Sequence, residues 1–449
     1  MNESSSIIVP TNLTRRSFLK RSSAAAGGAA LLSALPVERF AHAATGTDEL
    51  KLALVGCGGR GSGAADQALS TSNQGPVKLV AMADVHEDRL KGSLANLEKV
   101  HGNQVDVPQE RQFLGFDAYK QAIALADVVI LATPPGFRPL MFEEAVKQGK
   151  NIFTEKPVAT DAAGVRRFLA AAEEAKKKNL KVGVGLQRHH QAGYIETIKR
   201  LQDGAIGDIT SMRAYWNGER PWQKKRVDLE RQYGKKLTEM EYQLLNWYYF
   251  CWACGDHIVE QHIHNLDVIN WLKKGHPVKA RSMGGRDITK SPDDGEIFDH
   301  FATEFEYADG SICYSYCRHQ HGCWNSVSEH AVGTKGKVDI SGYKIFGDNQ
   351  WRYKADGDKN PYQVEHDDFW AAIRADKPYS EAEYGAHSTM TAIFGRMAAY
   401  SGKELEWDAA INSKIEIFPK TLAWDADPGP KPGADGYYPL PVPGQTVVV

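Results

Sequence analysis

The chain has 449 residues, 42% of them hydrophobic and 24% charged, with a formal charge of −2. So even a balance excludes the broad basic surface that nucleic acid or an anionic membrane demands of a partner. The length exceeds one ordinary core, so two domains are expected.

The first 43 residues carry an address. Arg15 and Arg16 precede Ser17-Phe18-Leu19-Lys20, a weakly apolar run covers residues 24–35, and Ala41-His42-Ala43 is a small-x-small cleavage site. That order predicts a twin-arginine export signal and a periplasmic mature protein. The run is far short of the ~20 residues of a membrane span. Its removal takes away five basic and two acidic residues, which moves the formal charge from −2 to −5. Six cysteines in an exported chain could pair, but Cys57 falls inside a glycine turn, and Cys251-x-x-Cys254 with Cys313, Cys317 and Cys323 matches neither a zinc framework nor a small disulfide scaffold.

Residues 44–188 predict a nucleotide-binding domain. The apolar run 50–55 leads into Gly56-Cys57-Gly58-Gly59-Arg60-Gly61, a G-x-G-x-x-G turn, and a helix over 62–69. The glycines allow a tight turn, close approach to a pyrophosphate and helix-on-strand packing, and the helix start offers free N–H groups. A second strand, 77–83, ends at Asp84, at the interval of a ribose-binding acid. A carboxylate there repels a 2′-phosphate and favours NAD, while Arg60, His86 and Arg89 keep NADP open; capping of the next helix is the alternative role for Asp84. Strands at 127–132, 151–154 and 181–186 alternate with helices at 140–148 and 162–178, which predicts a doubly wound parallel sheet. Gly56, Asp84, Thr133, Lys156 and Gln187 then share its ligand-binding edge. The strand 151–154 ends in Glu155-Lys156-Pro157, a lysine set at that edge by a turn.

Residues 189–415 predict a largely antiparallel sheet, with strands at 209–216, 278–283, 301–307, 312–317, 329–332 and 337–340. One helix, 256–273, places Val259, Ile263 and Leu266 on one side and His257, Glu260, His264, Asp267 and Trp271 on the other. Glu260-x-His262-x-His264 invites a metal, but residues two apart on a helix diverge by roughly 200°, so no metal site is expected. The connection 219–254 is basic and aromatic; its rings form either a small core of their own or a stacking surface for a sugar. His319, in Arg318-His319-Gln320-His321, is a candidate polar contact. Helices are expected at 365–375 and 384–401, and residues 416–449 form a surface-wrapping tail.

The G-x-G-x-x-G turn, Asp84, Ala132-Thr133-Pro134, Glu155-Lys156-Pro157 and Glu260-x-x-x-His264-x-x-Asp267, in that order, resemble the glucose-fructose oxidoreductase/inositol dehydrogenase/MocA family. The resemblance covers the mature chain. It implies a Rossmann domain plus an α/β sheet domain, and NAD(P)-dependent hydride exchange at a carbon of a sugar, glycoside or cyclitol. Lys156 and His264 would stand at the reacting hydroxyl, with Glu260 where the family more often has Asp. Gly56, Gly58, Gly59, Arg60, Gly61, Asp84, Thr133, Pro134, Glu155, Lys156 and Gln187 would face the cofactor. Lys156, Arg188, His264, Asp267 and His319 would face the substrate. Pro135, Arg138 and His262 depart from the usual pattern. Either His264 or Lys156 could serve as base, with Glu260 orienting His264. Because free NAD is scarce outside the cytoplasm, the coenzyme is expected to be tightly held and recycled in the site. A glycosidase working through transient C3 oxidation, elimination and re-reduction is an alternative outcome, and a non-catalytic carbohydrate-binding protein on the same fold is another. An exposed sheet face predicts a homodimer or homotetramer.

Overall fold

The computed structural model describes residues 48–288 and 290–449; Arg15, Arg16 and Ala41-His42-Ala43 lie outside the described residues. Six strands, β1 (Leu50–Val55), β2 (Val77–Asp84), β3 (Gln112–Leu114), β4 (Val128–Leu131), β5 (Asn151–Thr154) and β6 (Val182–Val184), form a wholly parallel sheet in the order β3-β2-β1-β4-β5-β6. The central strands have apolar runs because helices cover both faces; Leu52 and Leu54 are fully buried, and each such side chain contributes about 1.5–3 kcal/mol. The order reverses between β1 and β4, where a ligand crevice opens beyond the carboxyl ends. β6 is shorter than the run 181–186, and just beyond it Gly185 packs against Glu155, where a Cβ would lie 2.6 Å from Glu155 Oε2.

The second sheet has nine strands: β7 (Ile209–Gly218), β8 (Lys279–Gly285), β9 (His300–Glu306), β10 (Ile312–His319), β11 (Ser326–Gly333), β12 (Gly336–Asp339), β13 (Lys344–Gly347), β14 (Trp351–Arg352) and β15 (Leu405–Glu406). Their order is β14-β13-β12-β11-β7-β10-β9-β8-β15, antiparallel except for β7 with β10. Residues 48–449 pack as one unit. Helix Pro361–Arg374 returns to the first sheet, where Phe369, Trp370 and Ile373 join Leu52, Leu54 and Val77 in one core. Helix Ala382–Ser401, buried over nearly its whole length, packs against helix Ala162–Lys177, the helix Ile263–Lys273 and β8.

The connection after β7 folds into helices Arg226–Tyr233, Glu239–Leu245 and Cys251–Cys254. Tyr242, Tyr248, Tyr249, Phe250 and Trp252 are buried within it, so most of its rings form a local core. The tail packs through side chains: Phe418 meets Phe137 edge-on at 5.2 Å, and Trp424 lies 4.9 Å from Phe116. All six cysteines are free thiols, five of them buried. Among the described residues no helix is long and apolar enough to cross a membrane.

Candidate active site

A cavity of ≈ 840 Å³ runs along the carboxyl edge of the first sheet. Gly56 opens it with φ +92°, a value that favours glycine. Packing also requires Gly56 and Gly61 to lack side chains, since a Cβ would come within 2.5 Å of Thr133 N and 2.0 Å of Gly56 O respectively. At Gly58 and Gly59 a Cβ would meet nothing within 4 Å, so that part of the turn faces open space. Helix Gly59–Leu69 starts there without a side-chain cap, leaving N–H groups for an anion. Bare turn, open space and uncapped helix start fit a dinucleotide.

Asp84 is more occupied than its position in the sequence suggests. Its Oδ2 accepts from Cys57 N at 2.6 Å and its Oδ1 from His86 N at 2.9 Å, so the carboxylate ties the glycine turn to the end of β2. Thr133 and Pro134 line the cavity. Arg60 turns back from the turn to donate Nε–H to Glu155 Oε1 at 2.5 Å. Glu155 thus joins the strand end carrying Lys156 to the glycine turn.

Lys156, Glu260 and His264 converge in this cavity. Lys156 Nζ donates to the Glu260 carbonyl at 2.6 Å and to Glu260 Oε1 at 3.1 Å, with the two side chains 12% and 11% exposed. Glu260 therefore holds Lys156, where the sequence led us to expect it to orient His264. Glu260 Oε2 and His264 Nδ1 are buried without a hydrogen-bond partner, and the imidazole stacks on Trp216 at 5.9 Å. Burial, reinforced by the Lys156 charge, pushes His264 well below the ordinary histidine range.

The helix expected over 256–273 is two helices, His257–Glu260 and Ile263–Lys273. His262 N–H reaches back five residues to His257 O, a wide turn. One extra residue in a turn advances the helical phase by about 100°. Glu260 and His264 keep the cavity, whereas Asp267 turns into the protein, accepting from His189 Nε2 at 2.9 Å and Ser388 Oγ at 2.8 Å. Of the expected polar face, His257, Glu260, His264 and Asp267 are buried and Trp271 is partly buried; His262, outside that face, is fully enclosed and bonds Ser315 Oγ through Nε2 at 2.7 Å.

Three further expected contacts lie away from the cavity. Arg188 forms a buried ion pair with Glu329. His319 continues the inward alternation of Cys313, Ser315 and Cys317 along β10 and bonds Tyr248 through Nε2 at 2.8 Å. Gln187 lies in the turn Gln187–His190, past the cavity-lining Gly185. Sequence reasoning did not assign Trp216, Trp222, Trp247 or Arg138 to the cavity. Arg138 is buried and donates to Pro157 O at 2.6 Å, bracing the turn behind Lys156; burial pushes its guanidinium down to about 10. Strand-end position was a signal for Trp216, the aromatic run of the 219–254 connection for Trp222 and Trp247, and the departure from the family pattern for Arg138.

Six histidines here and nearby are held neutral by burial: His257, His264 and His366 well below the ordinary value, His262 at about 3, His86 and His319 at about 4. Unfolding frees each to protonate, so their stability is present above about 6.5 and is lost as pH falls toward 4. Four buried acids oppose this. Burial raises Glu296 to about 7 and Asp256 to about 6, and also raises Glu329 and Glu365, so acidification relieves their cost. The histidines outnumber them, so stability is expected to fall by roughly 1–3 kcal/mol per pH unit below pH 6. Scanning calorimetry at pH 7 and pH 5 checks the sign; a Tm that rises on acidification contradicts it.

Residues 50–185 match the oxidoreductase family with an NAD-binding Rossmann fold, Gfo/Idh/MocA. A 2,7-anhydro-N-acetylneuraminate hydratase of Escherichia coli is 26% identical over 247 residues, 53% of this chain and 58% of the relative. An inositol 2-dehydrogenase of Gluconacetobacter diazotrophicus is 28% identical over 177 residues, 39% of this chain and 44% of the relative. The chain thus spans about half the length of these curated relatives. A scyllo-inositol dehydrogenase structure from Lactobacillus casei, with NAD(H) and scyllo-inositol bound, shares the fold at TM-score 0.59 and 20% identity, covering 80% of this chain and 100% of that one. The glycine turn and all six strands of the parallel sheet fall within that match, so residues 50–185 carry the NAD-binding Rossmann fold of the Gfo/Idh/MocA oxidoreductase family model.

Proposed function

We propose that the protein is an NAD(P)-dependent oxidoreductase that exchanges a hydride with a secondary hydroxyl of a sugar, glycoside or cyclitol. The reading rests on one observation: Lys156, Glu260 and His264 line the same cavity as the glycine turn. Oxidising a secondary alcohol needs an acceptor for the O–H proton and a positive group for the developing alkoxide. His264, neutral through burial, takes the proton. Lys156, fixed by Glu260, donates to the oxygen and stabilises its charge. The nicotinamide, when bound, supplies the hydride acceptor. Gly58, Gly59 and the start of helix Gly59–Leu69 would hold its phosphates.

We further propose export by the twin-arginine route with the coenzyme already held. The connection after β7 contributes Trp222, Lys224, Leu244 and Trp247 to the cavity wall, beside the Rossmann domain's own residues, which favours retention. Denaturing the purified protein and scanning the supernatant tests both points. Nicotinamide nucleotide is expected; none released, together with no NAD(P) binding, sinks the reading. A panel of sugars, cyclitols and glycosides, read by reduction of bound coenzyme and by product analysis, then identifies the substrate; net aglycone release would mark the glycosidase outcome.

Assembly is proposed through the open face of the second sheet, where Met283 is 77% exposed, Tyr314 and Val332 are exposed and Tyr316 stacks on Tyr215. Light scattering should give a dimer or tetramer for the wild type and a monomer for Met283→Glu/Tyr316→Glu. A monomeric wild type refutes this.

A further inference from the structure

At the β2 end of the cavity two cations face a wall with no counter-ion in contact. Arg89 comes from helix Glu87–His101, and Lys224 from the connection after β7, about 135 residues further along. Both line the cavity and both are partly buried. Among the described residues, neither side chain takes part in an ion pair or a hydrogen bond, whereas neighbouring Arg226 and Arg220 are both paired with carboxylates. The nearby acids make no contact with them: Asp84 accepts from Cys57 N and His86 N, and Asp88, exposed to solvent, acts on Lys224 only at a distance. The two charges also act on each other, since Arg89 helps burial push the Lys224 ammonium down. Like charges brought together and partly desolvated without a partner cost free energy. A protein keeps such an arrangement where an anion completes it.

We propose that Arg89 and Lys224 form a phosphate clamp, holding a phosphate of the bound dinucleotide between a cation from the Rossmann domain and one from the connection after β7. This rests on the oxidoreductase reading and deepens it. The backbone N–H groups of the glycine turn serve the pyrophosphate, and the clamp adds side-chain cations, one of them from outside the Rossmann domain. Lys224 is well anchored for this: its backbone N–H donates to Asn246 Oδ1 at 2.9 Å, and Tyr242, which bonds Asp293 through its hydroxyl at 2.7 Å, packs beneath Arg226 at 4.0 Å. The segment therefore ties the second sheet's elements to the coenzyme, and the coenzyme cannot leave without breaking a contact to each wall. The phosphate is either one of the pyrophosphate groups, present in NAD and NADP alike, or the 2′-phosphate that only NADP carries.

The test is coenzyme release from the full-length mature protein, followed by the fluorescence of bound NADH and NADPH after mixing with excess unlabelled nucleotide. Losing one charge-assisted contact is expected to speed release roughly 10- to 100-fold in Lys224→Glu and in Arg89→Ala, with Lys224→Arg close to wild type. Added salt should speed wild-type release and have less effect on the variants. Equal acceleration for both nucleotides places the clamp on the pyrophosphate; acceleration for NADPH alone places it on the 2′-phosphate; both support the proposal. Release unchanged for both nucleotides in both variants overturns the clamp while leaving the oxidoreductase reading intact. A wild type that binds neither nucleotide overturns both. Matched circular dichroism of variants and wild type separates the effect from misfolding.

Discussion

Lys156→Ala is expected to lower kcat by roughly 10²–10³ while leaving the coenzyme bound. Removal of one donor to a developing oxyanion costs that much in other enzymes, and the glycine turn proposed to hold the phosphates makes no contact with the lysine. The substitution has a second consequence that must be separated from the first. Lys156 and Glu260 form a pair whose side chains are 12% and 11% exposed, and removing one partner strands the other charge at a cost of about 3 kcal/mol or more. Glu260→Gln removes that stranded charge. The double variant Lys156→Ala/Glu260→Gln should therefore recover thermal stability relative to Lys156→Ala and recover none of its activity. Steady-state rates on the substrate found in the sugar panel, beside Tm for each variant, check this. Full activity in Lys156→Ala would remove the lysine from the site.

The part of the site that the sequence exposes is the part built from local order. The run 50–55, the glycine turn and Asp84 follow one another within 35 residues, and two of the turn's glycines, Gly56 and Gly61, have no room for a side chain. Lys156 is legible for the same reason, because a strand end and a proline fix where it lies. What fails is any inference that depends on which way a polar side chain turns. Glu260, His264 and Asp267 look equivalent at helical spacing, yet the wide turn at His262 sends Asp267 to His189 and Ser388. Arg188 and His319 sit at strand or turn ends near the site, but each meets a buried partner distant in sequence, Glu329 and Tyr248. Spacing cannot distinguish a cavity-facing charge from one neutralised by a residue more than 70 positions away. The same limit hid the role of Glu155, whose partner Arg60 lies 95 residues earlier.

His264 carries the other large prediction, because its burial decides how the reaction depends on pH. An imidazole at the ordinary value of about 6.5 loses its capacity as a base as pH falls through that value. Here burial and the adjacent Lys156 charge hold His264 well below it, so the neutral, proton-accepting form persists into more acidic solution. The acid limb of kcat/KM should accordingly lie well below pH 6.5. If Lys156 were the base instead, it would have to lose its proton first, and activity would rise on the alkaline side. His264→Ala should lower kcat by roughly 10²–10⁴, the usual loss for a missing general base. His264→Gln should fare no better, since an amide keeps the size and hydrogen bonding but cannot take up the proton. Glu260→Gln gives the internal contrast: because Glu260 contacts Lys156, its loss should act through placement of the lysine and leave the acid limb where His264 sets it. A limb that moves with Glu260 and stays put in His264→Ala would reverse the assignment and make the carboxylate the proton acceptor.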